Sequence, residues 1–307
     1  MDKLKYALLV FLGACSYGIL STVLKLGLLE GFKVEQILGG QYFFGWCMLL
    51  VLMLIFSRVR VSLKQIGALL LAGIPMSLTG IFYSIAVEEL PASLAVLLLF
   101  QFTWIGVILE AVWERKFPSR NKIISIVVLI IGTLFAGGVL EQSGGHWTTL
   151  GVVLGLLSAL TFAVYIFVSG KVATNVPVLS KSFIMVSGAL IILFSVFSPS
   201  FLFDGSLAQG VWKYSIPQAL LGSIIPVIFF AIGVPKVGPG LGTILGAAEL
   251  PAAVIVSVLV LREQVTGLQW FGIILILVGI VIPQIAGVWR NKRQNKRRFT
   301  ETADHSA

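Results

Sequence analysis

Charged residues are scarce in this chain. Of its 307 residues 11% are charged and 58% are hydrophobic, and the mean hydropathy is +1.02. A soluble globular protein carries roughly a quarter charged residues, and here the apolar excess comes in long runs. This composition excludes a soluble enzyme, a disordered protein and a disulfide-built secreted module. It indicates that lipid is the solvent for most of the protein surface.

Histidine and cysteine are also nearly absent. The two histidines, His146 and His305, fall in a linker and in the C-terminal tail, which argues against a histidine proton relay or metal site. Cys15 and Cys47 both lie in apolar runs without the spacing of metal ligands or of a disulfide framework. The chain has no phosphate-binding loop, no G-x-S-x-G and no zinc motif, so we expect neither an enzyme nor an ATP-driven pump, and no cofactor or metal.

The apolar runs are long enough to cross a membrane. A transmembrane helix needs about 20 mostly apolar residues, and ten segments of the chain qualify. The sequence therefore predicts an all-α, polytopic membrane protein. The predicted spans are 6–24, 36–56, 66–86, 92–113, 123–140, 149–168, 182–200, 215–234, 239–261 and 268–287.

The linkers between the spans divide the basic residues unevenly. With the N-terminus in the cytoplasm, 18 of the 22 Lys and Arg residues fall on the cytoplasmic side, and Lys25, Lys33, Lys213 and Arg262 fall outside. Cytoplasmic loops carry an excess of positive charge. The asymmetry predicts that both termini are cytoplasmic and that the number of spans is even.

Six basic residues follow the last span, within residues 288–307. We expect this tail to be disordered and to contact anionic lipid headgroups, each basic residue adding about 1 kcal/mol near the surface. No folded basic face remains elsewhere to follow phosphates, so nucleic acid is not an expected partner. A small-molecule substrate is expected, and a second copy of the chain remains a candidate partner.

Two halves of the chain are similar to each other. At an offset of 145 to 149 residues, residues 1–140 and 149–287 share small and aliphatic positions in the same order. Because each half has five spans, an odd number, the second must enter the membrane upside down. Such inverted repeats are typical of transporters that alternate access around a central site. In spans 1 and 6 the matches are Leu9, Leu12, Ala14 and Val23 with Leu154, Leu157, Ala159 and Val168.

The layout and the end of each half carry a resemblance to a known family. The second half has Glu249-Leu250-Pro251, then Arg262-Glu263 and Gln269-Trp270-Phe271-Gly272; the first has Gln101-Phe102, then Trp113-Glu114-Arg115 and Gly132. These features resemble the EamA-domain members of the drug/metabolite transporter superfamily over residues 5–287. The resemblance implies a secondary transporter, often an exporter, with a cavity between its halves in a bacterial plasma (inner) membrane. Its members carry amino acids, metabolites, sugars or drugs, so it does not specify the substrate.

Glu249 is the main candidate for substrate binding or proton coupling. It lies near the middle of the 239–261 run, where an ionised carboxylate costs at least about 2.5–3.5 kcal/mol. We therefore expect it to face the protein interior or a wet cavity, where it binds an amino group of the substrate or carries a proton. The alternative is a static, protonated partner in helix packing.

Two further charged residues lie near span ends. Lys25 closes the first run and either reaches the interface or, if the helix continues, faces Glu249 or an anionic group of the substrate. Glu110 lies close to the end of its run, and we expect it to reach the interface or to pair with Arg115.

Polar and aromatic side chains form stripes on three of the predicted helices. Residues three or four apart share a helix face, and three such faces suffice to line a common cavity. The alternative is that the hydroxyls bond their own helices and the aromatic rings pack. The candidates for this lining are Tyr17, Ser21 and Lys25 on span 1, Gln101 and Trp104 on span 4, and Thr161 and Tyr165 on span 6, with Tyr83 on span 3.

The sequence thus favours a secondary active transporter of small organic solutes, driven by a proton gradient or by the gradient of the solute. A lipid-handling membrane protein would need a reactive cluster that is missing, and a non-transporting scaffold would not need a carboxylate inside the membrane.

Overall fold

The structure, a computed structural model, describes residues 2–57, 59–90, 92–138, 148–262 and 264–304; for residues 2, 92, 93 and 286–304 it describes the backbone only. As the sequence predicts, the described regular structure is entirely helical. A 3₁₀ turn, Ser200–Leu202, and a π-helical segment, Ala219–Ile224, complete the elements. The α-helices are α1 (Asp2–Leu29), α2 (Val34–Phe56), α3 (Leu63–Glu89), α4 (Ala92–Leu99), α5 (Phe102–Glu114), α6 (Arg120–Ala136), α7 (Thr149–Lys171), α8 (Val178–Val196), α9 (Ser206–Gln209), α10 (Trp212–Gln218), α11 (Ile225–Val237), α12 (Pro239–Gly246), α13 (Glu249–Leu261) and α14 (Gly267–Asp304).

The apolar segments fold into membrane-crossing helices. Within the described ranges, nine helices or helix pairs are long and apolar enough to span a bilayer, which makes this a multi-pass membrane protein. The remaining predicted span corresponds to α6, whose 17 residues fall just short of that length. Side chains mark two helix starts, because the hydroxyls of Ser62 and Thr148 accept hydrogen bonds from the backbone N–H groups of Gln65 and Gly151.

Two of the spans are broken in the same way. A break at Phe100–Gln101 separates α4 from α5, and a break at Ala247–Ala248 separates α12 from α13. α4 and α12 have eight residues each, and α5 and α13 have 13 each. The elements of the second pair begin 147 residues after those of the first. The similarity of the halves in sequence therefore extends to their backbone.

Contacts between the helices define two ends of the bundle. At the end where the chain begins, here called the N-terminal end, Gly233 of α11 lies against the backbone of Tyr6. At the other end, here called the opposite end, the Thr148 hydroxyl bonds the Glu89 carbonyl at 3.4 Å.

Closely packed glycines hold α6 against α14. A Cβ at Gly132 would lie 3.0 Å from the carbonyl oxygen of Gly272, so the two backbones touch. Small residues allow such close approach between membrane helices. The Ser125 hydroxyl of α6 also donates to the Gly279 carbonyl of α14 at 2.6 Å.

Two sequence expectations differ from the structure. The backbone of α14 is helical to Asp304 and includes the basic segment for which the sequence predicts disorder; no proline or glycine follows Gly287 to end the helix. The sequence prediction places Lys181 in a cytoplasmic linker, before a span that begins at residue 182. In the structure α8 begins at Val178, so Lys181 lies within this helix and is only 1% exposed.

Candidate functional site

A cavity of about 290 Å³ lies in the half of the bundle nearest the opposite end. It is enclosed by the later part of α1, the beginning of α2, the later part of α3, α4, the α10–α11 span and the start of α13. Apolar side chains form most of its wall. The polar side chains that line it are Tyr17, Ser21, Gln41, Tyr42, Thr79, Tyr83, Ser84, Gln218 and Glu249.

The break in the ninth apolar run places Glu249 at the cavity. It is the first residue of α13, so its side chain leaves the helix where the backbone changes direction. Gly18 allows α1 to reach this point, because a Cβ there would lie only 2.7 Å from the Ala253 nitrogen. Discontinuous helices of this kind supply the binding sites of many transporters.

The Glu249 carboxylate is the acidic group of the cavity wall. No hydrogen bond or ion pair reaches it from the part of the chain that the structure describes. It lies close enough to the hydroxyls of Tyr17 and Tyr83 to interact with them electrostatically. Neither lysine nor arginine is present among the described lining residues. The group is therefore available to a cation or a proton that enters the cavity.

Several lining residues have no counterpart among the sequence-predicted candidates. Tyr42 donates its hydroxyl to the Met76 carbonyl at 3.3 Å, and Gln218 donates to the Leu20 carbonyl at 3.4 Å. The amide of Gln41 lies against Gly222, in the π-helical segment. A signal for the two glutamines is present in the sequence, since each interrupts an apolar run.

An aromatic floor closes the cavity toward the N-terminal end. It consists of Tyr17, Phe102, Phe162, Tyr165 and Phe230. The rings of Phe102 and Phe162 are 4.7 Å apart, and those of Tyr17 and Phe230 are 5.9 Å apart. Edge-to-face contacts of this kind add about 0.5–1.5 kcal/mol each to the burial of the rings.

Only some of the sequence-predicted residues line the cavity. Tyr17, Ser21, Tyr83 and Glu249 do so. Tyr165 is fully buried in the aromatic floor. The other four, Lys25, Gln101, Trp104 and Thr161, do not line it.

The side chains of Gln101 and Trp104 hydrogen-bond to each other at the break between α4 and α5, and they do not line the cavity. The Gln101 amide donates to the Leu97 carbonyl at 2.8 Å, and the Trp104 indole N–H donates to the Gln101 amide oxygen at 2.7 Å. A spacing of three residues brings the two side chains together on one face, as predicted, but neither side chain lines the cavity.

Thr161 and Lys25 lie beside the cavity. The Thr161 hydroxyl donates to the Leu157 carbonyl at 2.9 Å and lies 2.9 Å from the hydroxyl of Thr79, which does line the wall. α1 continues to Leu29, yet Lys25 is exposed near that end and does not line the cavity. The alternative in which Lys25 faces the cavity therefore does not fit the structure.

Acidic residues are paired at the N-terminal end. Glu110 is 8% exposed and pairs with Lys122 of α6, not with Arg115. Gly238 and Gly240 lie against its carboxylate, at the start of α12. Arg115 directly follows α5, where a left-handed backbone with φ 51° turns the chain out of the helix. Glu114 pairs with Lys171 at 3.1 Å, whereas Glu263 lies outside the described residues.

The described residues around this cavity include no cluster of metal ligands. In the described ranges, no three His, Cys, Asp or Glu side chains come close enough to hold a metal ion. The chemistry of the site is thus that of one carboxylate, several hydroxyls and amides, and an apolar wall.

Comparison with known proteins identifies the family. The profile of the EamA-like transporter family matches residues 4–138 and again residues 149–283. A relative from Escherichia coli (strain K12), described as a probable amino-acid metabolite efflux pump, is 27% identical over 215 residues, which are 66% of this chain and 70% of the relative. A solved crystal structure, described only as that of a protein, superposes with a TM-score of 0.72 over 92% of this chain and 98% of its own; at 17% identity it shows the fold alone. Two copies of the repeat cover nearly the whole chain, which belongs to the EamA-like transporter family and is a membrane transporter, not an enzyme.

Proposed function

We propose that this protein is a secondary active exporter of small organic solutes, such as amino acids or related metabolites, and that it works by alternating access. The observation that carries the proposal is the unpaired Glu249 carboxylate on the wall of the cavity, at the break of a membrane-spanning helix. The relative described as a probable efflux pump supports both the solute class and the direction.

The proposal includes a topology of ten spans. α6 is the fifth, because it packs along α14, which occupies the corresponding place in the second half. Repeats of five spans are inverted relative to each other. The excess of basic residues on the N-terminal end makes that end cytoplasmic. The cavity then opens toward the outside, and the N-terminal end is closed.

The chemistry of the cavity favours a solute that combines an amino group with an apolar body. An ammonium group would contact the Glu249 carboxylate and the hydroxyls of Tyr17 and Tyr83. An apolar body would pack against Leu38 and Phe100. A polyanion would meet the carboxylate without a cation on the described wall to balance it.

Glu249 also fits the role of a coupling group. An isolated carboxylate inside the membrane is costly when ionised. Protonation from the outside and deprotonation toward the cytoplasm would therefore link the direction of proton flow to the release and loading of the solute.

The basic end of α14 is proposed to contact the membrane surface. Six Lys and Arg residues follow Gly287. On the cytoplasmic side of a plasma membrane, anionic headgroups attract such a segment. This contact would orient the protein without taking part in transport.

The test is solute flux in proteoliposomes with an imposed proton gradient. A panel of amino acids, amines without a carboxylate and dicarboxylates is offered to the purified protein. Wild-type protein is expected to move the amine-bearing solutes and to respond to the gradient. Glu249→Gln should lose this response while remaining folded, and Glu114→Gln, which alters an exposed ion pair, should keep it. Wild-type flux in Glu249→Gln would contradict the proposed role of the carboxylate.

A further inference from the structure

A small polar cluster is buried where α7 ends and α8 begins. Ser169 and Lys181 are each 1% exposed, and Ser182 is not exposed at all. All three lie in the N-terminal half of the bundle, on the other side of the aromatic floor from the cavity. Nothing in the outward-facing cavity uses them.

The cluster is incompletely satisfied. The Lys181 ammonium, with three N–H donors, has one described partner, the Ser169 carbonyl at 2.7 Å. The hydroxyls of Ser169 and Ser182 are buried without a hydrogen-bond partner in the part of the chain that the structure describes. A buried polar group left without a partner costs roughly 1–3 kcal/mol. A second state in which these groups are hydrated would remove this cost.

The internal repeat relates the two serines to residues of the cavity wall. At the offset of 145 residues between spans 1 and 6, Ser169 corresponds to Leu24 of α1. α2 and α8 begin 144 residues apart, so Ser182 corresponds to Leu38. Both leucines line the cavity. The two unpartnered serines therefore occupy, in the second half of the chain, the positions that form the cavity wall in the first half.

At the N-terminal end of the bundle, the end of α7 packs closely against α11 and α12. Gly170 lies against α11 and α12, where a Cβ would be 2.7 Å from Val234 and 3.2 Å from Pro239. These elements correspond to those that enclose the cavity at the opposite end. Their close packing explains why the serines and Lys181 are buried in this state.

We propose that Ser169 and Ser182 form the polar wall of a second, cytoplasm-facing cavity, which opens when the inner ends of α7, α8, α11 and α12 separate. This inference rests on the alternating-access function proposed above. It assigns to this cavity a chemistry unlike that of the outward one, because two hydroxyls take the places of Leu24 and Leu38. Lys181 corresponds to Ile37, which is buried against Gly27 and does not line the outward cavity, so Lys181 stands behind the wall and holds the Ser169 carbonyl.

Cysteine labelling tests the inference in the full-length protein. In a Cys15→Ala, Cys47→Ala background, Ser169→Cys and Ser182→Cys are treated with a membrane-impermeant methanethiosulfonate, in inside-out and in right-side-out vesicles. Ser125→Cys is the matched control, because Ser125 is equally buried in the N-terminal half but bonds to α14. Leu38→Cys reports on the outward cavity.

We expect both serine positions to react from the cytoplasmic face only, and roughly tenfold or more faster than Ser125→Cys, since even a minor open state exposes them. Leu38→Cys should react from the outer face only. Labelling of Ser169→Cys and Ser182→Cys no faster than that of Ser125→Cys, while Leu38→Cys reacts, would overturn the inference. Solute flux in the same vesicles separates the two proposals: flux without serine labelling refutes this inference alone, and serine labelling without flux of any solute refutes the proposed function.

Discussion

Arg115 and Arg262 occupy the same place in the two halves of the protein. They lie 147 residues apart, follow the last residues of α5 and α13, and adopt left-handed backbone conformations with φ of 51° and 55°. A non-glycine residue in this region costs roughly 1–2 kcal/mol. That both copies retain the strained conformation shows that the turn out of the broken span is a shared structural requirement of the repeats.

This strain predicts the effect of glycine at either position. Arg115→Gly and Arg262→Gly are each expected to raise the free energy of unfolding by up to about 1 kcal/mol, because glycine adopts positive φ without a Cβ penalty. Arg120→Gly, at the first residue of α6, is the control and should lower it. Thermal unfolding in detergent measures all three, and a loss of stability in the first two would contradict the prediction.

The close approach of α1 to α13 predicts a second outcome. Gly18→Leu forces a side chain against the Glu249 carbonyl and Ala252, so we expect a loss of about 1–3 kcal/mol in stability and a loss of solute flux. Gly67→Ala in α3 is the matched control, because a Cβ there meets nothing within 4 Å. It should raise stability by roughly 0.5–1 kcal/mol and leave flux unchanged. Normal flux in Gly18→Leu would refute this account of the contact.

The two ion pairs of the N-terminal end should differ greatly in strength. Glu110 and Lys122 have side chains 10% and 23% exposed, whereas Glu114 and Lys171 are 44% and 30% exposed. Lys122→Met leaves the Glu110 carboxylate buried without its partner, which typically costs about 3–5 kcal/mol. Lys171→Met should cost less than about 1 kcal/mol.

A double-mutant cycle separates the pairing energy at Glu110 from other effects. Glu110→Gln combined with Lys122→Met should recover much of the stability lost in Lys122→Met, because no charge is then left unpaired. Thermal unfolding of the four proteins gives the coupling. Additive losses would show that the two side chains act independently.

A loop at the opposite end predicts a pH dependence. The pKa of Asp204 is lowered because Ser206 donates to its carboxylate from both side chain and backbone, and because Gln36 of α2 donates at 2.8 Å. A carboxyl whose pKa is depressed in the folded state contributes stability above its unfolded pKa, near about 3.9, and loses this contribution as the pH falls through the folded value.

Asp204→Asn should therefore unfold at a lower temperature than the wild type at neutral pH, and the difference should shrink as the pH falls below about 4. Asp204 is fully exposed, so screening keeps the effect small. Unfolding temperatures of both proteins across this range provide the measurement. A difference independent of pH would show that the carboxylate charge is not responsible.

Much of the fold follows from the sequence, and less of the site does. The helical fold and the family are confirmed, because the length and hydropathy of each run are local properties. Glu249, Tyr17 and Tyr83 were also identifiable, since a charge or hydroxyl in an apolar run must face something other than lipid. Gln101 and Trp104 share a face as their spacing predicts, but spacing does not state which neighbour that face meets.

The amino-acid sequence by itself determined that this chain lies in a membrane, where its helices run, and that its two halves match, because hydrophobic burial and periodicity act along the chain. Only the tertiary structure decided where the spans break, which end of the bundle holds a cavity, and that Glu110 pairs with Lys122. It also decided that Ser169 and Lys181 are buried near the N-terminal end of the bundle. These features depend on which helices pack against each other. Because the two repeats have similar sequence patterns, those patterns do not specify which end of the bundle holds the cavity.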